Sequence, residues 1–255
     1  MKRALVLFGN EIERENLIDS AVYLEKEFGF KIYPLYIKDM SREKLLTTTD
    51  GFMMAGRAPV ISQGWDEVEK GEIESIKKLL KEKGVASELV IDIGLVPEIV
   101  TEHMKRCDIL IMGKNDILNE NEVSILKGNY KSIFLIGEKP LSHMNNIVIA
   151  NDNGVKINRS CYHFINIFPH INEFSSFAIN KEIEENILIE YLEEHNKKIK
   201  HEELVTNNFQ EILKKVDGAD LLIMGNLSRS YFFEKIIGKN GIKLLEKGKA
   251  PIFIG

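Results

Sequence analysis

The sequence predicts an α/β protein made of two tandem units, each an open-twisted parallel five-stranded sheet with helices on both faces. Three observations carry that prediction. Short continuous apolar runs that end in glycine, such as Ala4 to Phe8 and Leu221 to Met224, suit strands buried on both faces of a parallel sheet. Segments with helical spacing alternate with these runs along the whole chain. The second half also repeats the first: Asp108-Ile-Leu-Ile-Met-Gly113 matches Asp220-Leu-Leu-Ile-Met-Gly225, and Ser132-Ile-Phe-Leu-Ile-Gly137 matches Pro251-Ile-Phe-Ile-Gly255 less one apolar residue.

The first unit is expected over residues 1–139. Its first strand runs from Ala4 to Phe8, and Ile12, Leu17, Ile18, Ala21, Val22 and Leu24 recur at helical spacing until Gly29 ends the helix. Lys31 to Ile37 is the second strand. From Lys38 to Gly64 the periodicity is lost, which marks an insertion that serves either as a lid or as a loop with a hydrophobic anchor at Phe52, Met53 and Met54. An amphipathic helix carries Val68, Ile73, Ile76, Leu79 and Leu80 to Gly84. A strand from Ser87 to Ile93, a helix around Ile99, Val100 and Met104, and strands at 108–113 and 132–137 complete the unit.

Glu138 to Asn146 is polar, holds a proline and has no period, so it is expected to link the two units. The second unit, 145–255, opens on a strand at Ile147 to Ala150. A helix from about Lys156 to Phe168, a strand from Phe174 to Ile179, a charged helix from Glu182 to Ile199 and a strand from His201 to Val205 follow. A helix from Phe209 to Val216 then leads to the strand at Leu221, and a short helix through Ile242, Leu244 and Leu245 leads to the strand that ends at Gly255.

Composition narrows the function. The chain has 255 residues, 44% hydrophobic and 29% charged, enough for one large core or two smaller ones. A formal net charge of -5 argues against a general nucleic-acid binder, which would carry a basic surface. Cys107 and Cys161 are far apart and form no CxxC pair, so buried free thiols are expected. The start, Met-Lys-Arg-Ala-Leu-Val-Leu-Phe-Gly, has too short an apolar run for a signal peptide, and no window approaches the roughly 18 apolar residues of a membrane span. A cytoplasmic protein is expected.

The stretch from Ala219 to Gly255 carries the most chemical information. Gly225 frees the backbone after a buried strand, Gly238 opens a second turn, and a helix start lies close by. Amides turned to one point beside a helix start suit an anionic phosphate, while a plain strand-to-helix connection has the same spacing. Arg229, Lys235 and Lys239 would form a basic rim or a solvated surface. His163 and His170 lack neighbouring Cys or carboxylate ligands, and Asp152-Asn-Gly154 lacks the glutamate that would complete a calcium loop. No nucleophile-base set, P-loop lysine or paired carboxylates stand out, which points away from an enzyme.

The element order and the Gly225 loop resemble the universal stress protein family in its tandem two-domain form, over essentially the whole chain. The resemblance implies a Rossmann-like, adenine-nucleotide alpha-hydrolase-like fold. That family's signature is Gly-x-x-Gly-x9-Gly-Ser/Thr after the fourth strand; Gly225 and Gly238 match its first and third glycines, while Ser228 and Lys239 replace the second glycine and the final Ser or Thr. Members that bind ATP resemble one another in an aspartate after the first strand, where Asp152 stands in the second unit and Gly9-Asn10 in the first. The resemblance implies ATP or ADP, with Mg²⁺, at Asp152, Gly225, Ser228, Arg229, Gly238 and Lys239. In the first unit Asp116, Glu120 and Glu122 are expected to repel phosphate and few amides to be free. The resemblance further implies pairing through the last strands, as a pseudo-dimer within one chain and again as a homodimer. A nucleotide-free interaction scaffold and a weak nucleotide hydrolase stay open as other functions.

Overall fold

The computed structural model describes residues 1–9, 14–41, 58–180, 187–226 and 240–255. The first lobe holds β1 (Arg3–Phe8), α1 (Arg14–Phe28), β2 (Lys31–Asp39), α2 (Ala58–Glu82), β3 (Val90–Gly94), α3 (Val96–Met104), β4 (Ile109–Gly113), α4 (Glu120–Gly128) and β5 (Ser132–Ile136). The second holds β6 (Ile147–Ala150), α5 (Val155–Ile167), β7 (Glu173–Ile179), α6 (Ile187–Glu194), β8 (Lys198–Leu204), α7 (Phe209–Asp217), β9 (Leu221–Met224), α8 (Asn240–Lys247) and β10 (Ile252–Ile254).

The strands lie in the order β3-β2-β1-β4-β5-β10-β9-β6-β7-β8. Read inward from either end, the order is the same, so the two lobes are related as the repeat requires. Within each lobe every pairing is parallel. The last strands of the lobes pair antiparallel, with Ile252 opposite Leu135, Phe253 opposite Phe134 and Ile254 opposite Ile133. The two expected five-stranded sheets are therefore joined edge to edge into one of ten strands. Both β5 and β10 lie inside it and offer no edge to a second chain.

The central strands are buried along their whole length, which is why they read as unbroken apolar runs. One apolar cluster fills each face of the sheet, and each continues from one lobe into the other. Phe134, Phe164 and Phe168 meet Phe253 or one another edge-on or tilted across the seam, with ring centroids 5.0 to 6.1 Å apart in a chain that also reaches Phe30. Outer strand β8 exposes Lys198, Lys200, Glu202 and Glu203, charges that discourage pairing with a further strand.

Four local expectations change. The helix expected to reach Ile199 ends at Glu194, because Asn196 takes a left-handed conformation (φ 58°) and reverses the chain. The Asn196 amide donates to Glu193 O (2.9 Å) and the Lys197 amide to Leu192 O (3.0 Å), a Schellman ending that sends Lys198 straight into β8. The strand expected from Ser87 starts at Val90. In the expected insertion, Lys38 and Asp39 still belong to β2, and Ala58 to Gly64 already belong to α2. Pro59 falls in the first turn of that helix, where its missing N–H costs no intrahelical bond. Residues 42–57, on which the lid reading falls, lie outside the described residues. Finally, the connection read as polar carries two buried apolar residues, Leu141 and Met144, and the Leu141 amide donates to Ser20 Oγ at 2.8 Å.

Candidate functional site

In each lobe the winding reverses between the first and fourth strands, β1 and β4 in one, β6 and β9 in the other. The crevice beyond the carboxyl ends of such a pair is where open α/β sheets hold ligands.

In the second lobe, Ile147, Val148 and Ile149 face Leu221, Leu222 and Ile223, so the chain leaves β6 beside Gly225. Asn151 is buried and ties its amide to Phe177 O on β7 (2.8 Å). A tight turn follows. Asn151 Oδ1 accepts the Asn153 amide at 2.8 Å, Asp152 Oδ1 accepts the Gly154 amide at 2.9 Å, and Asn153 is left-handed (φ 54°). Gly154 is the N-cap of α5 and brings no capping side chain to it. Asp152 is exposed at the mouth of the crevice.

Gly225 is closely packed here, which the loop pattern did not reveal. A Cβ on it would lie 3.0 Å from Lys156 Cβ and 3.1 Å from the Ile157 amide nitrogen, because the first turn of α5 crosses directly over the end of β9. Lys156 Nζ also donates to Asn226 O at 3.2 Å. The structure thus brings Asp152 and Gly225 to one crevice. Ser228, Arg229, Gly238 and Lys239 lie outside the described residues. Sequence reasoning missed Asn151, Gly154 and Lys156; the string Asn-Asp-Asn-Gly before an apolar helix carried the turn-and-cap signal for the first two.

The first-lobe crevice has another chemistry. Its cavity of about 120 Å³ is lined by Gly9, Tyr36, Asp39, Glu69, Asn115 and Glu122 among others. Of the three acids expected to repel phosphate, only Glu122 lines it, and Glu120 and Glu122 belong to α4, a helix the sequence reading did not foresee. Asn119 and Glu122 form a capping box at its start. Burial pushes the Glu122 carboxyl above the usual carboxylate range, against the pull of amide hydrogen bonds from Asn119 and Asn115. Asn121 Nδ2 donates to Asp39 Oδ2 (2.9 Å), and Lys38 pairs with Glu69 (3.1 Å). Lys114, next to Gly113, turns away from the crevice into the seam, where Nζ donates to Glu246 O at 3.2 Å and burial lowers its pKa.

His163 packs against the seam, with Nδ1 3.3 Å from Ser132 Oγ, and burial lowers its pKa. No group of three or more metal-capable side chains occurs among the described residues, and none of their helices is long and apolar enough to cross a membrane.

No family model and no curated protein matches the sequence. Solved structures do match the fold. A universal stress protein from Archaeoglobus fulgidus superposes with a TM-score of 0.65 at 13% identity, covering 98% of this chain and 94% of that one. A protein assigned as a universal stress protein from Pseudomonas aeruginosa gives 0.57 at 12% identity over 99% and 92%. A functionally unknown protein from the same organism gives 0.57 at 14% over 99% and 92%. The chain has the fold of these proteins over nearly its whole length.

Proposed function

We propose that this chain, built on the universal-stress-protein fold from end to end, is a cytoplasmic, non-catalytic stress-response module whose second lobe takes ATP or ADP with Mg²⁺. The supporting observation is that Asp152 and Gly225 sit at neighbouring strand ends where the winding reverses. There Asp152 would meet the base or ribose. Gly225, Ser228, Arg229, Gly238 and Lys239 would supply the phosphate side of the site, through backbone approach, a hydroxyl and positive charge. The first lobe takes no nucleotide, since carboxylates, Glu122 among them, line its crevice.

A nucleotide-free scaffold is the second reading, and the seam favours it: pairing of β5 with β10 makes a ten-stranded platform without any ligand. Association of whole chains then falls to the helical faces or the outer strands, because the last strands are already paired.

Denaturing freshly purified protein and identifying the released small molecule by chromatography and mass spectrometry, with calorimetric titration of ATP and ADP in Mg²⁺, separates the readings. About one nucleotide per chain is expected, with binding weakened in Asp152→Ala. Asp152→Asn keeps an acceptor for the Gly154 amide while removing the charge, so it distinguishes loss of the contact from collapse of the turn. No nucleotide by either route overturns the proposal and leaves the scaffold; ADP accumulating from ATP would make the module a hydrolase.

A further inference from the structure

The loop after β4 in the first lobe already holds an anion, supplied by the chain itself. Glu122 is 5% exposed. Its Oε1 accepts the Asn115 backbone amide (3.1 Å) and the Asn115 side-chain amide (3.1 Å), and its Oε2 accepts the Asn119 amide (2.7 Å). All three partners are donors, and both carboxyl oxygens accept from them. The capping box accounts for the Asn119 bond alone. Asn115, seven residues before Glu122, sends two further donors to the other oxygen of the same carboxylate. This is the donor set that a strand-end loop offers a phosphate, and it lies on the wall of the crevice with Gly9 and Gly113.

We propose that Glu122 determines specificity in the first lobe: its carboxylate fills the anion cradle of that crevice and so limits the chain to one nucleotide. The count of one rests on the nucleotide reading of the second lobe; the filled cradle does not.

Two variants of the full chain, Glu122→Ala and Glu122→Gln, test this beside wild type. Thermal melts are recorded in chloride, propionate and inorganic phosphate at equal ionic strength, and Mg²⁺-ATP is titrated by calorimetry. Propionate replaces the excised side chain and phosphate is the excluded ligand. The alanine variant is expected to melt lower in chloride and to recover most of the loss, saturably, in propionate and phosphate, while wild type is indifferent to the salt. Its ATP count should rise by one over wild type. Glutamine serves a capping box as well as glutamate, but one acceptor oxygen cannot serve donors on both sides. Glu122→Gln is therefore expected to melt below wild type, and decides the matter should the alanine variant not fold. A wild-type-like glutamine variant, an alanine variant without anion rescue, or two nucleotides bound to wild type overturns the cradle. If wild type binds no ATP and the alanine variant binds one, the cradle stands and the second-lobe reading fails. If wild type binds one and the alanine variant binds one without rescue, the cradle fails and the second-lobe reading stands.

Discussion

Replacing Gly225 by alanine tests whether the first turn of α5, as well as any ligand, requires a glycine there. The added Cβ would stand 3.0 Å from Lys156 Cβ, 3.1 Å from the Ile157 nitrogen and 3.3 Å from the Lys156 carbonyl carbon. Carbon contacts settle near 3.5 to 4.0 Å, so the helix start must give by a few tenths of an ångström. Overpacking of this kind costs about 1 to 3 kcal/mol. Gly71, midway along α2, is the internal comparison, since a Cβ there meets nothing within 4 Å. Alanine at Gly71 should stabilise the chain by about 0.5 to 1 kcal/mol through helix propensity. Urea unfolding of both variants should thus move the midpoint in opposite directions with unchanged slope. A Gly225→Ala protein as stable as wild type would refute the close crossing of α5 over β9. Because Asp152 and α5 share one turn, Gly225 variants also disturb the nucleotide crevice, and lost binding in Gly225→Val would not by itself locate a phosphate.

Two further outcomes follow from buried ionisable groups. Burial holds Lys114 below its ordinary pKa of 10.5, so between the two values the unfolded chain binds more protons and stability rises with pH. Lys114→Met should lose that rise in the pH range just below 10.5 and be no less stable near neutrality; equal slopes in urea titrations of the two proteins would contradict this. Burial pushes Cys107 up to about 11 and Cys161 to about 12, so native protein at pH 8 should react with a thiol reagent at neither residue over a time in which denatured protein releases both.

The strands were legible because buried parallel strands leave continuous apolar runs, whereas their order and the pairing of the last strands came from the family resemblance. What sequence hid was local reversal and partnership. Asn196 turns the chain as a glycine would, yet nothing in a charged helical segment announces that its asparagine is left-handed. Helix α4 carries only Val123, Ile125 and Leu126 as a buried face, too short a pattern to stand out. Its Glu120 and Glu122 were read only as charges that repel phosphate, because spacing does not show which amides a carboxylate will meet. In the second lobe the adjacency of Asp152 and Gly225 followed from strand order, whereas the crossing of α5 over Gly225 depends on helix placement.

The antiparallel seam also sets a timetable. Phe134 of β5 waits for Phe253 of β10, roughly 120 residues later in the chain. At synthesis rates of about 5 to 20 residues per second, the first lobe stands for roughly 6 to 24 s with the edge Ser-Ile-Phe-Leu-Ile bare. An apolar edge without charge or proline is the kind that recruits strands from neighbouring chains. The strand that welds the finished sheet is therefore the growing chain's main exposure to misassembly, and its closure is the step a chaperone would most usefully guard.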